Sequence, residues 1–238
     1  MFSTTWAQEC RPAGRCVFWN PCALPQSNPA TTTSSNDTIG SQPTRPGEDH
    51  MAETVVLQSL SGSRARAVRH TIADVQARSY VDAIATGNPF ESTEAFMERF
   101  EVYSGMSGFS MVLAIIDGEA VGQAFGWPLG ADTTWWTGLV LDAGQPATEE
   151  FTVEDGTKTY ALSELMVDKK RTGYGIAGVL YRGLLADRTE QRMTWLVNPA
   201  NQNAYAIYRH WGARRVGTLQ PVWQGAPQFH VLIADPQA

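Results

Sequence analysis

Residues 165–177 read LMVDKKRTGYGIA, a glycine-containing turn between a predicted strand and a predicted helix. The strand is predicted over Thr159 to Val167, where apolar residues dominate. The helix is predicted from about Gly175 to Arg188, and its apolar side chains recur at helical spacing: Ile176, Val179, Leu180 and Leu184. This order places the turn at the N-terminus of the helix.

The turn has the composition of an anion site. Gly173 and Gly175 leave backbone N–H groups unobstructed at the helix N-terminus, where the helix dipole and the orphan amides favour a phosphate. Three cations stand directly before them, namely Lys169, Lys170 and Arg171. A phosphorylated cofactor fits this pattern, and so does a solvated basic turn in which the glycines only serve the chain geometry.

Gly173, Gly175 and Gly178 also match the Gly-x-Gly-x-x-Gly fingerprint of dinucleotide-binding oxidoreductases, which bind NAD. The rest of the sequence disagrees with that fingerprint. Five polar residues, 168–172, separate the strand from the first glycine, and the next strand ends at Asn198 instead of an acidic residue. Only about sixty residues follow the motif, although it normally opens the fold. We therefore disfavour this interpretation.

Patterns on both sides of the turn predict an α/β fold. The clearest is a hairpin of residues 109–116 and 120–127, joined by an Asp117-Gly118 turn. Further strands are predicted at 54–60, 192–197, 214–220 and 228–234, and helices at 64–85, from Ser92, and from Pro199 to Gly212. The expected architecture is a mixed, mostly antiparallel sheet with flanking helices.

The composition excludes several classes of function. The net charge is −6, with 18 basic against 24 acidic residues, which argues against a nucleic-acid partner. The longest apolar run, Met111 to Ile116, is much shorter than a membrane span, so no membrane partner is expected. All three cysteines lie within the first 22 residues, so the rest of the chain has neither a thiol nucleophile nor a cysteine-based metal site. We predict no metal.

Residues 1–51 differ from the remainder of the 238-residue chain. From Pro25 to His50 the only large apolar residue is Ile39, and six of the 13 prolines precede residue 47. Such a segment buries too little surface to offset the entropy of ordering, which predicts a disordered leader before a domain over 52–238. Met51 is a candidate alternative start, in which case the leader is not translated. The leader lacks the features of a signal peptide, so we expect a cytoplasmic protein.

Three segments carry a more specific pattern: Glu164 to Val167, Gly175 to Ala177 eight positions later, and the helix NQNAYAIYRHWG at 201–212. The first two resemble the acetyl-coenzyme A motif of the GCN5-related N-acetyltransferase (GNAT) family, in which a (Gln/Arg)-x-x-Gly-x-(Gly/Ala) turn joins a strand to a helix. The third resembles the family's Asn-x-x-Ala-x-x-x-Tyr-x-x-x-Gly helix. The resemblance is clear over 159–220 and looser over 54–130, and it implies the acyl-CoA N-acyltransferase fold.

The turn fits the family motif in two registers. Pairing Gly175 with Ala177 keeps the usual distance from the strand but puts Thr172 where the family has Arg or Gln. Pairing Gly173 with Gly175 starts the motif at Lys170 and shortens that distance by two. We favour the first register, with the neighbouring Arg171 as the source of the missing charge.

The resemblance implies that acetyl-coenzyme A donates an acetyl group to an amine by direct attack in a ternary complex. The amides of the turn would hold the pyrophosphate, and those at the end of the strand would bond the thioester carbonyl. A β-bulge that splays the strands at this point is a family feature. The implied cofactor-binding residues are Met166, Val167, Arg171, Thr172, Gly173, Tyr174, Gly175, Ile176, Ala177 and Asn203. Asn201 reads more simply as a helix N-cap.

Two residues are candidate catalytic groups. The resemblance places Tyr208 where the family's tyrosine donates a proton to the leaving thiolate, although a tyrosine in an apolar helix stripe also fits core packing. Glu164 is the candidate base that deprotonates the amine, because a carboxylate within an apolar strand is costly to bury without a task. The alternative is an outward-facing glutamate paired with a basic neighbour.

The acceptor is expected to be a small-molecule or peptide amine. Trp127, Trp135 and Trp136 lie on the hairpin and the following loop, where this family builds its acceptor pocket, but they equally suit a core or an interface. A homodimer is an ordinary assembly for the fold. The rival function is a non-catalytic acyl-CoA-binding regulatory domain of the same fold.

Overall fold

The computed structural model describes residues 54–220 and 227–235, so the predicted leader and its three cysteines lie outside the described residues. The strands are β1 (Val56–Ser61), β2 (Ser110–Ile116), β3 (Glu119–Pro128), β4 (Leu139–Leu141), β5 (Thr159–Val167), β6 (Arg192–Val197), β7 (Arg214–Leu219) and β8 (Phe229–Ala234). The helices are α1 (Gly62–Ala67), α2 (Arg69–Ser79), α3 (Val81–Ala85), α4 (Thr93–Tyr103), α5 (Thr148–Phe151), α6 (Ile176–Leu185) and α7 (Gln202–His210). Among these helices, none has the length and apolar character needed to cross a bilayer.

The eight described strands form one sheet in the order β1-β2-β3-β5-β6-β8-β7-β4. Every neighbouring pair is antiparallel except β5 and β6, which run parallel. The predicted mixed, mostly antiparallel sheet with flanking helices is therefore confirmed. The dinucleotide-binding interpretation is wrong, because that fold requires a mostly parallel sheet.

The predicted hairpin is present as β2 and β3. Asp117 and Gly118 both adopt left-handed backbone, with φ of 50° and 81°. These are the dihedrals that a two-residue hairpin turn of the favoured hand requires. The local sequence therefore specifies the turn and the register of this hairpin.

The single helix predicted over 64–85 is wrong, because the structure has three helices in its place. The chain leaves helical geometry at Val68, where φ is −110° and ψ is 27°, and again at Tyr80, where φ is −105° and ψ is 23°. The second break coincides with the burial of the Tyr80 ring, which is 2% exposed. Ile72 and Val75 on α2 face the core as predicted.

The loop predicted over 130–157 contains two short elements, β4 and α5. The segment is fixed to the sheet by Arg192, whose Nη2 donates to the Phe151 carbonyl at 2.7 Å and to Glu154 Oε1 at 3.0 Å. Trp136 Nε1 donates to the same carboxylate oxygen at 3.0 Å. These elements have three and four residues, so they are too short to show a periodic pattern.

The sheet separates two apolar layers. On one face, α1, α2 and α4 cover a layer that includes Phe96, Phe100, Phe125 and Met166. On the other face, α6 and α7 cover a second layer that includes Leu162, Leu165, Leu180 and Tyr208. A ligand that contacts both faces of the sheet must therefore pass between two of its strands.

At Gly126 of β3, the backbone of the neighbouring strand β5 lies too close to leave room for a side chain. A Cβ atom there would lie 2.2 Å from the Ala161 carbonyl oxygen of β5. We expect Gly126→Ala to lower the free energy of unfolding by about 1–3 kcal/mol through overpacking. Thermal unfolding measures this loss, since about 1 kcal/mol corresponds to about 2–4 °C in a domain of this size.

Gly178→Ala is the matched control for this prediction. In α6 the added Cβ would meet only the end of the flexible Arg182 side chain, at 3.3 Å, and alanine favours a helix. We expect an unchanged or higher unfolding temperature for this variant. Equal destabilisation by both substitutions would contradict the argument from backbone approach.

Candidate active site

β5 separates from β6 part-way along its length. In the described structure their parallel pairing spans only Thr159 to Ala161, whereas β5 stays paired with β3 as far as Val167. The register with β3 also shifts here: Phe125 lies opposite Glu164, and Gly126 lies opposite Leu162. Ser163 is therefore an extra residue, and the β-bulge implied by the family resemblance is present.

The glycine turn begins at Asp168, directly after β5. Its Oδ1 accepts a hydrogen bond from the Lys170 amide at 2.9 Å, and its other carboxylate oxygen pairs with Arg78 of α2. Arg78 also donates to the Ala120 carbonyl of β3 at 2.6 Å. The buried Asp168 thus fixes the start of the turn against both a helix and the hairpin.

The two glycines of the turn are in the left-handed region, with φ of 91° at Gly173 and 78° at Gly175. Gly175 is the N-cap of α6, and no atom lies within 4 Å of a Cβ added at either glycine. The stretch from Thr172 to Gly175 is exposed. An open turn of this kind, with the first amides of a helix behind it, fits an anionic phosphate group.

The three cations beside the turn have different surroundings. Lys169 Nζ forms an ion pair with Asp82 Oδ1 of α3 at 2.6 Å. Lys170 is exposed, and Arg171 is half-buried. The charge of Lys169 is therefore already paired with an acid of the protein.

The other implied cofactor residues lie on β5 and α7. Met166 and Val167 are buried at the end of β5, and Met166 Sδ accepts from Gln123 Nε2 at 3.2 Å. Asn203 is exposed in the first turn of α7. Asn201 is the N-cap of that helix, as predicted, because its Oδ1 accepts from the Ala204 amide at 3.1 Å.

Tyr208 is completely buried on α7. Its ring stacks on that of Trp195, with centroids 5.1 Å apart and planes at 27°, and lies 5.7 Å from the ring of Trp211. The side chain therefore contributes to packing between α7 and β6. Its role as a proton donor stays a prediction.

Glu164 is also completely buried, and in the described structure neither carboxylate oxygen has a hydrogen-bond partner. The alternative of an outward-facing glutamate paired with a basic neighbour is therefore wrong in its outward orientation. Burial raises the pKa of Glu164 well above its usual range, and the positive charge of Arg99 on α4 offsets this only in part. A raised pKa makes a carboxyl group a stronger base once it is deprotonated.

A cavity of about 660 Å³ opens on the α4 side of the sheet. Of the alternatives left open for the three tryptophans, Trp127 and Trp135 are buried core residues that also line this cavity, whereas Trp136 donates to the Glu154 carboxylate. Sequence reasoning missed other lining residues: Glu98, Arg99, Tyr103 and Asp132. No sequence signal marked the three charged residues, and the helical spacing of Tyr103 from Phe96 and Phe100 was the one available signal.

The part of the chain that the structure describes shows no cluster of metal-ligating side chains. Within residues 54–220 and 227–235, no group of three or more His, Cys, Asp or Glu side chains is placed to hold a metal ion.

The raised pKa of Glu164 predicts a specific dependence of stability on pH. The native state retains a proton that the unfolded chain releases above about pH 4.3, so wild-type stability falls as the pH rises from there. Glu164→Gln has no proton to release. We expect the variant to gain stability relative to wild type as the pH rises from about 5 to 8.

Thermal unfolding of both proteins across that pH range tests this expectation. Groups distant from Glu164 titrate alike in the two proteins, so the difference between their unfolding free energies reports on Glu164 together with Arg99 and Glu91, whose charges act on it. Glu149→Gln, at an exposed position on α5, is the control and should leave the pH dependence unchanged. Parallel pH profiles for wild type and Glu164→Gln would contradict a raised pKa at this site.

Comparison with known proteins supports the architecture. No protein-family model matches the sequence, and a search of curated proteins finds no significant match. Among solved structures, a protein assigned as a GNAT-family acetyltransferase from Desulfovibrio desulfuricans is 14% identical with a TM-score of 0.51, covering 77% of this chain and 99% of that one. An aminoglycoside 6'-acetyltransferase type Ii is 16% identical with a TM-score of 0.51, covering 76% and 97%. The chain has the acyl-CoA N-acyltransferase fold of the GNAT acetyltransferases.

Proposed function

We propose that the protein transfers an acetyl group from acetyl-coenzyme A to an amine by direct attack in a ternary complex. The observation that carries this proposal is the bulge at Ser163, which accompanies the separation of β5 from β6 just before the glycine turn. The opening admits an extended group between two strands, and the turn beyond it suits a phosphate. That two solved proteins of this fold are acetyltransferases supports the same chemistry.

The backbone around the opening supplies the groups that would hold the donor. Acetyl-coenzyme A supplies the acetyl group as an activated thioester. The amides from Thr172 to Ala177 would hold its pyrophosphate, with Arg171 beside them. β6 does not pair with β5 beyond Ala161, so the backbone of Met166 and Val167 would be available to the thioester arm and its carbonyl oxygen. Asn203 is a further candidate contact.

Two side chains would move protons in the reaction. The amine nitrogen bonds to the carbonyl carbon as the carbon–sulfur bond breaks. Glu164, in its deprotonated carboxylate form, accepts the proton that the nitrogen loses, directly or through water. The Tyr208 hydroxyl donates a proton to the departing thiolate.

A second candidate function is a non-catalytic acyl-CoA-binding regulatory domain. Its support is the complete burial of both Glu164 and Tyr208, one in the apolar layer under α4 and the other in an aromatic stack. Such a domain would bind the donor without turnover. Ligand binding and turnover therefore need separate measurements.

Binding of acetyl-coenzyme A should stabilise the full chain against heat. At 100 times its dissociation constant a ligand adds about 2.7 kcal/mol, which corresponds to a shift of roughly 5–10 °C. We expect such a shift with acetyl-coenzyme A and with free coenzyme A but none with NAD. Absence of a shift at millimolar acetyl-coenzyme A would overturn the proposed function and its regulatory alternative together.

A pair of glycine variants tests whether the turn holds the donor. Gly173 and Gly144 both have positive φ, 91° and 85°, and at neither position would an added Cβ meet another atom within 4 Å. Alanine at either position therefore introduces similar backbone strain. We expect Gly173→Ala to reduce the ligand-induced shift and Gly144→Ala to preserve it.

Tyr208→Phe tests the proton donor. The variant keeps the buried ring and its stacking, so the fold should persist, while kcat should fall about 10²-fold with little change in KM. Release of the free thiol measures the rate. Tyr181→Phe, in the same group of aromatic rings, is the control and should leave kcat unchanged. An unaltered kcat in Tyr208→Phe would remove this hydroxyl from the mechanism.

A further inference from the structure

The cavity lies on the same face of the sheet as the Glu164 side chain. Phe125 of β3 lies opposite Glu164, and Trp127 follows it on the same face. Tyr103 of α4 covers both, with its ring centroid 6.5 Å from that of Phe125 and 4.7 Å from that of Trp127. α6 and the glycine turn at its start belong to the opposite side of the sheet. A molecule in the cavity would thus approach β5 from the face opposite to the turn.

The walls of the cavity are largely aromatic. The Trp127 and Trp135 rings meet edge to face, with centroids 5.9 Å apart and planes at 86°. Val102 and Met106 extend the apolar wall from the end of α4. The volume, about 660 Å³, falls within the range of about 300–1,000 Å³ typical of small-molecule sites. These walls suit a ligand with an apolar or aromatic body.

The charges around the cavity favour a cation. Glu98 and Asp132 both line it and both are exposed, which places two carboxylates at its opening. Arg99 also lines the cavity, but its Nη1 donates to the Phe90 carbonyl at 3.1 Å and the guanidinium lies 4.6 Å from the Phe90 ring centroid. Burial lowers the pKa of Arg99, whereas the neighbouring carboxylates, that of Glu164 foremost, raise it. The guanidinium is therefore engaged by the backbone and ring of Phe90, and Glu98 and Asp132 are the exposed charged residues among those that line the cavity.

We propose that this cavity takes the acceptor, and that the acceptor is a primary amine with an aromatic body and without a carboxylate. The inference rests on the proposed function and specifies its substrate class. The aromatic walls would bind the body of the molecule, and the carboxylates of Glu98 and Asp132 would attract its ammonium group. An acceptor that carries its own carboxylate is repelled at the same opening.

Three amines separate these contributions. 2-Phenylethylamine has the aromatic body and the cation, phenylalanine adds a carboxylate, and n-butylamine lacks the ring. Initial rates of thiol release are measured with the full chain and saturating acetyl-coenzyme A over a range of each amine. We expect kcat/KM for 2-phenylethylamine to exceed that of each of the other two at least tenfold.

The carboxylates are tested with the double variant Glu98→Gln/Asp132→Asn. Both positions are exposed, and both changes keep the size of the side chain, so the fold should be unaffected. We expect KM for 2-phenylethylamine to rise about tenfold with kcat unchanged, because each screened charge contributes a few-fold. Glu94→Gln, an exposed residue of the same helix outside this cavity, should leave KM unchanged.

The outcomes distinguish this inference from the proposed function. Transfer to n-butylamine or phenylalanine at a rate equal to that of 2-phenylethylamine overturns the acceptor class and leaves acetyl transfer standing. If no amine is acetylated, the proposed function fails. Titration of tryptophan fluorescence with 2-phenylethylamine alone then tests whether the cavity binds this class of amine. Binding that weakens about tenfold in the double variant supports the assigned chemistry, and no binding overturns it.

Discussion

β5 is one of the two central strands of the described sheet, and it separates from one of its neighbours before it ends. A strand in this position would normally exchange hydrogen bonds on both edges, and a buried backbone group without a partner costs about 1–3 kcal/mol. Here the pairing with β6 stops at Ala161, and the extra residue Ser163 shifts the register against β3. The edge of β5 that faces β6 is therefore not paired with that strand over one short segment of the core. Such a segment is suited to binding an extended polar molecule.

The two sides of the sheet are specialised around that segment. On one side, Asp168 and Arg78 connect the end of β5 to α2 and β3, and the open glycine turn follows immediately. On the α4 side, Arg99 and the buried Glu164 lie beneath the aromatic cavity. A reaction between two molecules gains from such a separation, because each partner is oriented by its own surroundings before they meet.

Features set by neighbouring residues were predictable, and features set by distant contacts were not. The Asp117-Gly118 hairpin, the N-cap at Asn201 and the glycine turn each follow from a few adjacent residues. The breaks at Val68 and Tyr80 and the attachment of α5 by Arg192 depend on partners far along the chain.

The bulge had a signal in the local sequence, whereas the placement of Arg99 in the cavity had none. Leu162 and Leu165 face the same apolar layer although they are three positions apart, which breaks the alternation of a regular strand. That spacing was a local signal of the extra residue. The inward placement of Arg99 had no comparable signal, because it arises from the packing of α4 against β3 and the loop after it.

The aromatic rings around α7 have a consequence for spectroscopy. Tyr181 stacks on Trp211 with centroids 4.1 Å apart, and Trp195 stacks on Tyr208 at 5.1 Å. Rings held this closely in a fixed orientation couple their electronic transitions, which gives the near-ultraviolet circular dichroism spectrum a contribution that disappears when tertiary packing is lost. Loss of tertiary packing, that of α7 against α6 and β6 included, can thus be followed optically without a label, while the far-ultraviolet signal reports separately on the helices and strands.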